Sequence, residues 1–212
     1  MSERFCISES EVSKVMVSTI DERAPESLPD TRWRTRDIVV AAVIGVAFGV
    51  VFWAWNLAYA AVDPVFAFAP WLKDLMYGVW LMPAVLAPII IRKPGAAIFA
   101  EMVAAGLSAL LGSVWGPDVL LSGFLQGAAA ELVFAFTLYR SYGAITLVLA
   151  AVASALAAFL HDWVVYYPAV DQTIQVLRAA AMVISAALVA AGGSILLARS
   201  LRRTGVLDGF PD

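Results

Sequence analysis

The sequence predicts an all-α integral membrane protein, a bundle of six transmembrane helices, and two observations support this fold class. The chain is 62% hydrophobic and 15% charged, whereas a soluble domain is about half apolar and about a quarter charged. The apolar residues also form blocks, since only Glu131 is charged within 38–62, 75–91, 102–117, 119–139, 141–160 and 179–198. About 20 such residues cross roughly 30 Å of hydrocarbon as a helix, so the blocks fit six crossings.

The predicted helices follow these blocks in order and cover residues 37–60, 72–91, 94–113, 118–139, 142–165 and 173–200. Pro94 suits the first turn of the third helix, where its missing N–H has no intrahelical partner to lose. Pro83 and Pro88 lie inside the second helix. We expect them to kink it, because an internal proline removes a backbone hydrogen bond.

Basic residues mark one end of the predicted bundle. With six crossings, one side receives Arg32, Arg34, Arg36, Arg92, Lys93, Arg140, Arg199, Arg202 and Arg203. The other side has only Lys73 and Arg178, beside Asp63, Asp74, Asp118, Asp162 and Asp171. Because cytoplasmic loops are enriched in lysine and arginine, both termini are predicted to be cytoplasmic.

The two ends of the chain differ from its apolar middle. Residues 1–35 contain seven acidic and five basic residues, with Pro25 and Pro29. Such a polar segment without an apolar stripe is predicted to be a disordered cytoplasmic tail. Residues 36–203 form the predicted six-helix transmembrane domain, and 204–212 a short cytoplasmic C-terminal tail.

The motifs argue against enzymatic activity. There is one cysteine, Cys6, and one histidine, His161, so we expect no metal site and no cofactor. The sequence contains no GxxxxGK phosphate loop, no Gly-x-Ser-x-Gly elbow and no H-E-x-x-H helix. A nucleic-acid partner is not expected either. The enzymatic alternative is a small intramembrane enzyme with Glu131, His161 and Asp162 as acid–base groups.

Two glutamates, Glu101 and Glu131, lie within apolar helices. A carboxyl group in hydrocarbon costs about 2.5–3.5 kcal/mol on insertion scales, so it usually has a function. Counting depth at about 1.5 Å per residue brings further polar and aromatic groups into the outer half of the bundle: Trp53, Asn56, Tyr77, Trp80, Trp115, Gln126 and His161. These groups predict an outward-facing pocket for a flat, polar small molecule.

Other roles for these residues stay open at this point. The aromatic residues could form interfacial belts, and Gln126 or either glutamate could pair with a neighbouring helix. Glu101 and Glu131 could also be relay sites of a self-contained ion- or proton-coupled transporter. In the first helix, Ala41, Gly45 and Gly49 recur every four residues. Such a ladder allows close helix approach, either within the chain or against a partner.

Several motifs together resemble one family. They are Arg92-Lys93-Pro94-Gly95-Ala96-Ala97 leading to Glu101, Leu111-Gly112-x-x-Trp115-Gly116, Gln126-Gly127 and Ala130-Glu131-Leu132-Val133-Phe134. Over about residues 32–203 the chain resembles the YkoE-type S components, the substrate-binding subunits of energy-coupling factor (ECF) vitamin transporters.

The resemblance implies a multi-pass protein of the bacterial plasma membrane that captures a vitamin from outside. Its implied partners are a transmembrane coupling protein and two cytoplasmic ATPase subunits, and its implied ligand is thiamine or the hydroxymethylpyrimidine precursor. Docking of the coupling protein on Ala41, Gly45 and Gly49 is implied in the same way. A carboxyl group can hold an aminopyrimidine with two hydrogen bonds, and Glu131 is the first choice for this role. Glu101 is a further candidate for the substrate site, and its alternative roles are to bind a neighbouring helix or to assist movement.

Overall fold

The computed structural model describes residues 31–210, which form seven α-helices, one 3₁₀ helix and one π-helix. The α-helices are α1 (Thr35–Ala61), α2 (Met82–Ile91), α3 (Ala96–Leu110), α4 (Asp118–Phe136), α5 (Ala144–Val165), α6 (Gln172–Ser185) and α7 (Ser194–Arg203). The 3₁₀ helix (Pro70–Leu81) continues directly into α2, and the π-helix (Ala186–Gly193) joins α6 to α7. The disorder predicted for the N-terminal tail lies, for residues 1–30, outside the described residues.

Six helical segments account for the six predicted crossings. Five are long and apolar enough to span a membrane: Thr35–Ala61, Pro70–Ile91, Asp118–Phe136, Ala144–Val165 and Gln172–Arg203. The sixth, α3, has 15 residues and is only roughly 22 Å long at 1.5 Å per residue. It begins later than predicted, since Gly95 precedes it in the left-handed region with a φ of 86°. The six-helix, all-α membrane bundle is confirmed, with a shorter third helix.

The second crossing changes helix type where a kink was predicted. The 3₁₀ helix ends at Leu81, and Pro83 lies in the first turn of α2, where a missing N–H leaves no helix bond unmade. Pro88 lies inside α2, and every residue from Pro83 to Ile91 is buried. This half of the crossing is therefore the central helix of the bundle, which explains its uninterrupted apolar run.

The ladder of small residues in α1 packs against α3. Ala41 is fully buried. A Cβ atom on Gly45 would lie 2.6 Å from the Cβ of Val103, and one on Gly49 would lie 2.7 Å from the Cβ of Leu107. The structure thus places these three residues in the interior of the chain and not on a free surface, because their size lets α1 approach its own neighbour.

Parts of both predicted tails fold onto the basic end of the bundle. The Trp33 indole donates a hydrogen bond to the Pro94 carbonyl at 2.8 Å. After α7, Leu207 is buried, and the Phe210 ring lies 5.0 Å from the Arg36 guanidinium. The ordered domain therefore extends beyond the predicted boundaries at 36 and 203, since apolar side chains on both flanks find partners.

Candidate functional site

A cavity of about 640 Å³, counting its open mouth, lies at the end of the bundle opposite the basic residues. Its walls come from the last turns of α1 and α5, the α5–α6 connection, the 3₁₀ helix, α3, the α3–α4 loop and the first half of α4. They comprise Phe52, Asn56, Tyr59, Tyr77, Trp80, Glu101, Ala105, Ser108, Trp115, Asp118, Val119, Ser122, Gly123, Gln126, Asp162, Tyr166 and Tyr167.

Aromatic rings form much of the wall. Trp80 meets Tyr59 and Tyr77 edge to face, with ring centroids 5.0 and 5.2 Å apart. Trp115 meets Tyr166 in the same way at 5.3 Å. Edge-to-face contacts of this kind add to the stability gained from burial alone. The rings therefore support one another and present rigid faces and edges to a ligand.

Asn56 holds this wall together from α1. Its side-chain oxygen accepts a hydrogen bond from the Trp80 indole at 3.1 Å. Its amide nitrogen donates to the hydroxyls of Ser108 at 3.3 Å and Ser113 at 3.1 Å. Both amide hydrogens are thus engaged, and Asn56 fixes the 3₁₀ helix, α3 and the α3–α4 loop relative to one another.

Glu101, on α3, lies beside the point where the second crossing changes from a 3₁₀ helix to an α-helix. It is 1% exposed, and one carboxyl oxygen accepts a hydrogen bond from the backbone N–H of Ala84 at 3.0 Å. That N–H lies in the first turn of α2, where backbone donors have no intrahelical acceptor. Glu101 therefore provides an acceptor for a backbone N–H at the start of α2, and it also lines the cavity.

Two aspartates carry further carboxyl groups on the wall, joined by a histidine behind it. The His161 ring nitrogens lie 3.2 Å from Asp162 and 3.3 Å from Asp118. The Tyr166 hydroxyl donates to the other oxygen of Asp118 at 2.5 Å. Burial, and then this hydrogen bond, raise the pKa of the Tyr166 phenol above its usual range, so it stays a neutral donor at neutral pH.

The cavity wall contains acidic side chains but, within the described part of the chain, no basic ones. Three carboxyl groups line it, and among residues 31–210 no lysine or arginine does. A surface of this kind favours a ligand that carries a positive charge or several N–H donors. The aromatic faces add affinity for a flat or cationic ring.

Six of the predicted site residues line this cavity: Asn56, Tyr77, Trp80, Trp115, Gln126 and Glu101. Trp53 does not, since it is 37% exposed and lies one residue away from the buried Phe52, about 100° round the helix. His161 is buried behind the wall.

Glu131, the first choice from the sequence, also lies outside the cavity. Its two oxygens accept hydrogen bonds from the backbone N–H groups of Gly95 at 2.6 Å and Ala97 at 2.9 Å. It follows Asp118 by 13 residues of α4, which is roughly 20 Å along the helix axis. Glu131 therefore caps the start of α3 near the basic end, which is the interhelical role left open above.

The structure adds wall residues that the sequence-based selection left out: Tyr59, Asp118, Asp162, Tyr166 and Tyr167 among them. The signal for three of these was the run His161-Asp162-Trp163-x-x-Tyr166-Tyr167 at the end of the fifth predicted helix. Asp118 gave no comparable signal, since an acidic residue in the first turn of a helix is common.

Comparison with known proteins identifies the family. Residues 36–157 match the family model described as ABC-type cobalt transport system, permease component. A Bacillus subtilis (strain 168) protein that carries the name HMP/thiamine permease protein YkoE is 36% identical over 181 residues, 84% of this chain and 89% of that protein. A solved crystal structure of an S component of an ECF transporter superposes with a TM-score of 0.80 at 35% identity, covering 84% of this chain and 90% of that one. The chain belongs to the S components of ECF transporters.

Family membership confirms the resemblance seen in the sequence. An ECF S component is a substrate-binding subunit of the bacterial cell membrane and not an enzyme, and it works with an ECF module. Cobalt appears in the name of the matched family model. Within residues 31–210, no group of three or more His, Cys, Asp and Glu side chains is arranged to hold a metal ion.

Proposed function

We propose that this S component captures thiamine or its hydroxymethylpyrimidine precursor from outside the cell and delivers it to an ATP-driven ECF importer. The observation that carries the proposal is the cavity itself, which combines aromatic faces with three carboxyl groups. The 36% identity to a protein named for HMP and thiamine supports the same ligand class. ATP hydrolysis belongs to partner subunits in this proposal, namely a transmembrane coupling protein with two ATPases.

The aminopyrimidine ring common to both ligands fits the deep part of the cavity. Its exocyclic amino group is a donor and its ring nitrogens are acceptors. Glu101 can accept from the amino group, while its bond to Ala84 holds the carboxyl group in place. The flat ring can stack on the neighbouring tryptophan or tyrosine faces. Our proposal therefore assigns the pyrimidine to Glu101, in place of Glu131.

The thiazolium ring of thiamine fits the rest of the wall. It carries a positive charge, which aromatic faces and carboxylates both favour. Asp118 and Asp162 provide such carboxyl groups, and Trp115 and Tyr166 provide ring surface beside them. Hydroxymethylpyrimidine has no thiazolium ring, so only thiamine would use this part of the site.

The charge distribution supports an outward-facing cavity. The cavity lies at the end of the bundle opposite to Arg92, Arg140 and Arg199, and lysine and arginine are enriched in cytoplasmic loops. In this orientation the ligand enters from outside, and the loops at the basic end face the ATPases.

Ligand-dependent thermal unfolding of the purified protein tests the proposal. A ligand at one hundred times its Kd stabilises the native state by about 2.7 kcal/mol, so thiamine or hydroxymethylpyrimidine should raise the Tm measurably. Riboflavin, which is flat but bears neither an aminopyrimidine nor a cation, serves as the control. No shift with either pyrimidine would contradict the ligand assignment, and uptake by liposomes that contain this chain alone would contradict the ATP-driven assignment.

A further inference from the structure

Arg178 is a buried cation in the wall of the bundle beside the cavity. It lies on α6, is 5% exposed, and donates from Nε to the Asp74 carboxylate at 2.8 Å. Asp74, on the 3₁₀ helix, is 2% exposed. A buried ion pair is by itself weak evidence for stability, because desolvation of both charges opposes their attraction. The role of Arg178 is therefore better judged from the side chains around the ion pair than from the pair itself.

On one side, Arg178 fixes Tyr167. The guanidinium lies 3.7 Å from the centroid of the Tyr167 ring. It also donates to the Gln175 side chain at 3.3 Å, and Gln175 donates to the Tyr167 carbonyl at 2.7 Å. Both the ring and the backbone of Tyr167, in the α5–α6 connection, are thus tied to one arginine.

On the other side, the ion pair lies close to Tyr59 at the end of α1, within range of electrostatic interaction with its hydroxyl. The Lys73 ammonium lies 3.7 Å from the centroid of the Tyr59 ring. Tyr59 and Tyr167 both line the cavity, whereas neither Arg178 nor Asp74 is among its lining residues in the described part of the chain.

We propose that Arg178 is a positioning residue of the binding site, which is held by Asp74 and acts through Tyr167 to keep the aromatic wall closed around the ligand. The proposal rests on the proposed function for its ligand but not for its geometry. Loosening of this wall should speed the escape of bound ligand and increase the access of solutes to the cavity.

Two variants separate positioning from simple stabilisation. The double variant Asp74→Asn/Arg178→Met removes both charges, so it leaves no unpaired buried ion, the usual cause of severe destabilisation. Arg178→Lys keeps the charge opposite Asp74 but loses the planar group that covers Tyr167 and bonds to Gln175. Arg199→Gln, at an exposed position on α7, is the control for loss of one positive charge.

Two rates are measured for each variant and for wild type, beside the Tm without ligand. The first is thiamine dissociation, followed by tryptophan fluorescence, since Trp80 and Trp115 line the cavity. The second needs no ligand: Ser122→Cys is introduced on a Cys6→Ser background, and its labelling by a membrane-impermeant maleimide is timed.

The proposal predicts that both variants release thiamine at least about tenfold faster, the change expected from the loss of one well-placed contact. Cysteine labelling should accelerate as well, while the control stays within about twofold of wild type in both rates. Wild-type dissociation and wild-type labelling in the double variant would overturn the proposal whatever its Tm, and a lower Tm with both rates unchanged would make the pair structural only. If wild type binds no thiamine, the ligand assignment fails, and labelling alone decides: faster labelling in the variants supports the positioning role, and unchanged labelling overturns it.

Discussion

The Glu101 carboxyl group accepts a hydrogen bond from the backbone N–H of Ala84 at 3.0 Å, at the start of the central helix α2. The second crossing is a 3₁₀ helix before this point and an α-helix after it. Glu101 thus compensates a free backbone donor inside the membrane bundle, where an unsatisfied group costs several kcal/mol. The same side chain lines the cavity, so it joins the fold to the proposed site.

This double role predicts different effects for two substitutions of Glu101. Glu101→Gln retains a carbonyl oxygen for the Ala84 N–H but replaces the other oxygen by a donor. The Tm without ligand should stay near that of wild type, while the Tm increase caused by thiamine should largely disappear. Glu101→Ala leaves the N–H unpaired and should lower stability by about 1–3 kcal/mol. Thermal unfolding with and without thiamine measures both effects, and equal destabilisation by the two variants would contradict this division of roles.

Glu131 should affect stability alone. Each of its oxygens accepts a backbone hydrogen bond at the start of α3, and loss of a helix cap costs about 0.5–2 kcal/mol. Glu131→Ala is therefore expected to lower the Tm in the absence of ligand. The Kd for thiamine should remain within about twofold of wild type in protein that is still folded. A variant with normal stability and lost thiamine binding would show that Glu131 belongs to the binding site.

The α1–α3 contact can be tested with a matched pair of glycines. Gly45→Val would bring its Cβ to 2.6 Å from the Cβ of Val103 and 2.9 Å from the carbonyl oxygen of Ala100. Such overpacking costs about 1–3 kcal/mol. Gly106→Ala is the control, because a Cβ there meets nothing within 4 Å. The Tm should fall for Gly45→Val and not for Gly106→Ala, and similar values for the two would contradict the packing described here.

Substitution of Asp118 should affect the binding of the two ligands differently. Asp118→Asn removes a negative charge from the part of the wall assigned to the thiazolium ring. Thiamine affinity is expected to fall by about tenfold, or about 1.4 kcal/mol, with a much smaller change for neutral hydroxymethylpyrimidine. Competition binding with the two ligands measures the ratio. Equal losses would mean that Asp118 acts on the pyrimidine or on the fold.

The crossings could be predicted from the sequence because hydrocarbon thickness sets the length of an apolar block. The direction in which a side chain faces around its helix was harder to predict. Trp53 has the depth of Asn56 but faces away from the cavity, since neighbouring residues on a helix lie about 100° apart. Glu101 lies about a third of the way along α3, as it does in the predicted helix 94–113, so its depth alone did not assign it to the cavity.

The roles of the two glutamates could not be assigned from the sequence for a further reason. Both accept backbone hydrogen bonds at the start of another helix. These donors become free only where a helix begins in three dimensions, at the change of helix type before α2 and after Gly95 before α3. An apolar pattern shows that an acid is buried, but not which backbone group it meets.

The most direct measurement of the central claim is calorimetric titration of thiamine into wild type, Glu101→Gln and Glu131→Gln under identical conditions. Our proposal predicts 1:1 binding to wild type, similar binding to Glu131→Gln, and affinity about tenfold weaker for Glu101→Gln, as expected when a well-placed hydrogen bond is lost. Unchanged affinity for Glu101→Gln together with lost binding for Glu131→Gln would contradict it.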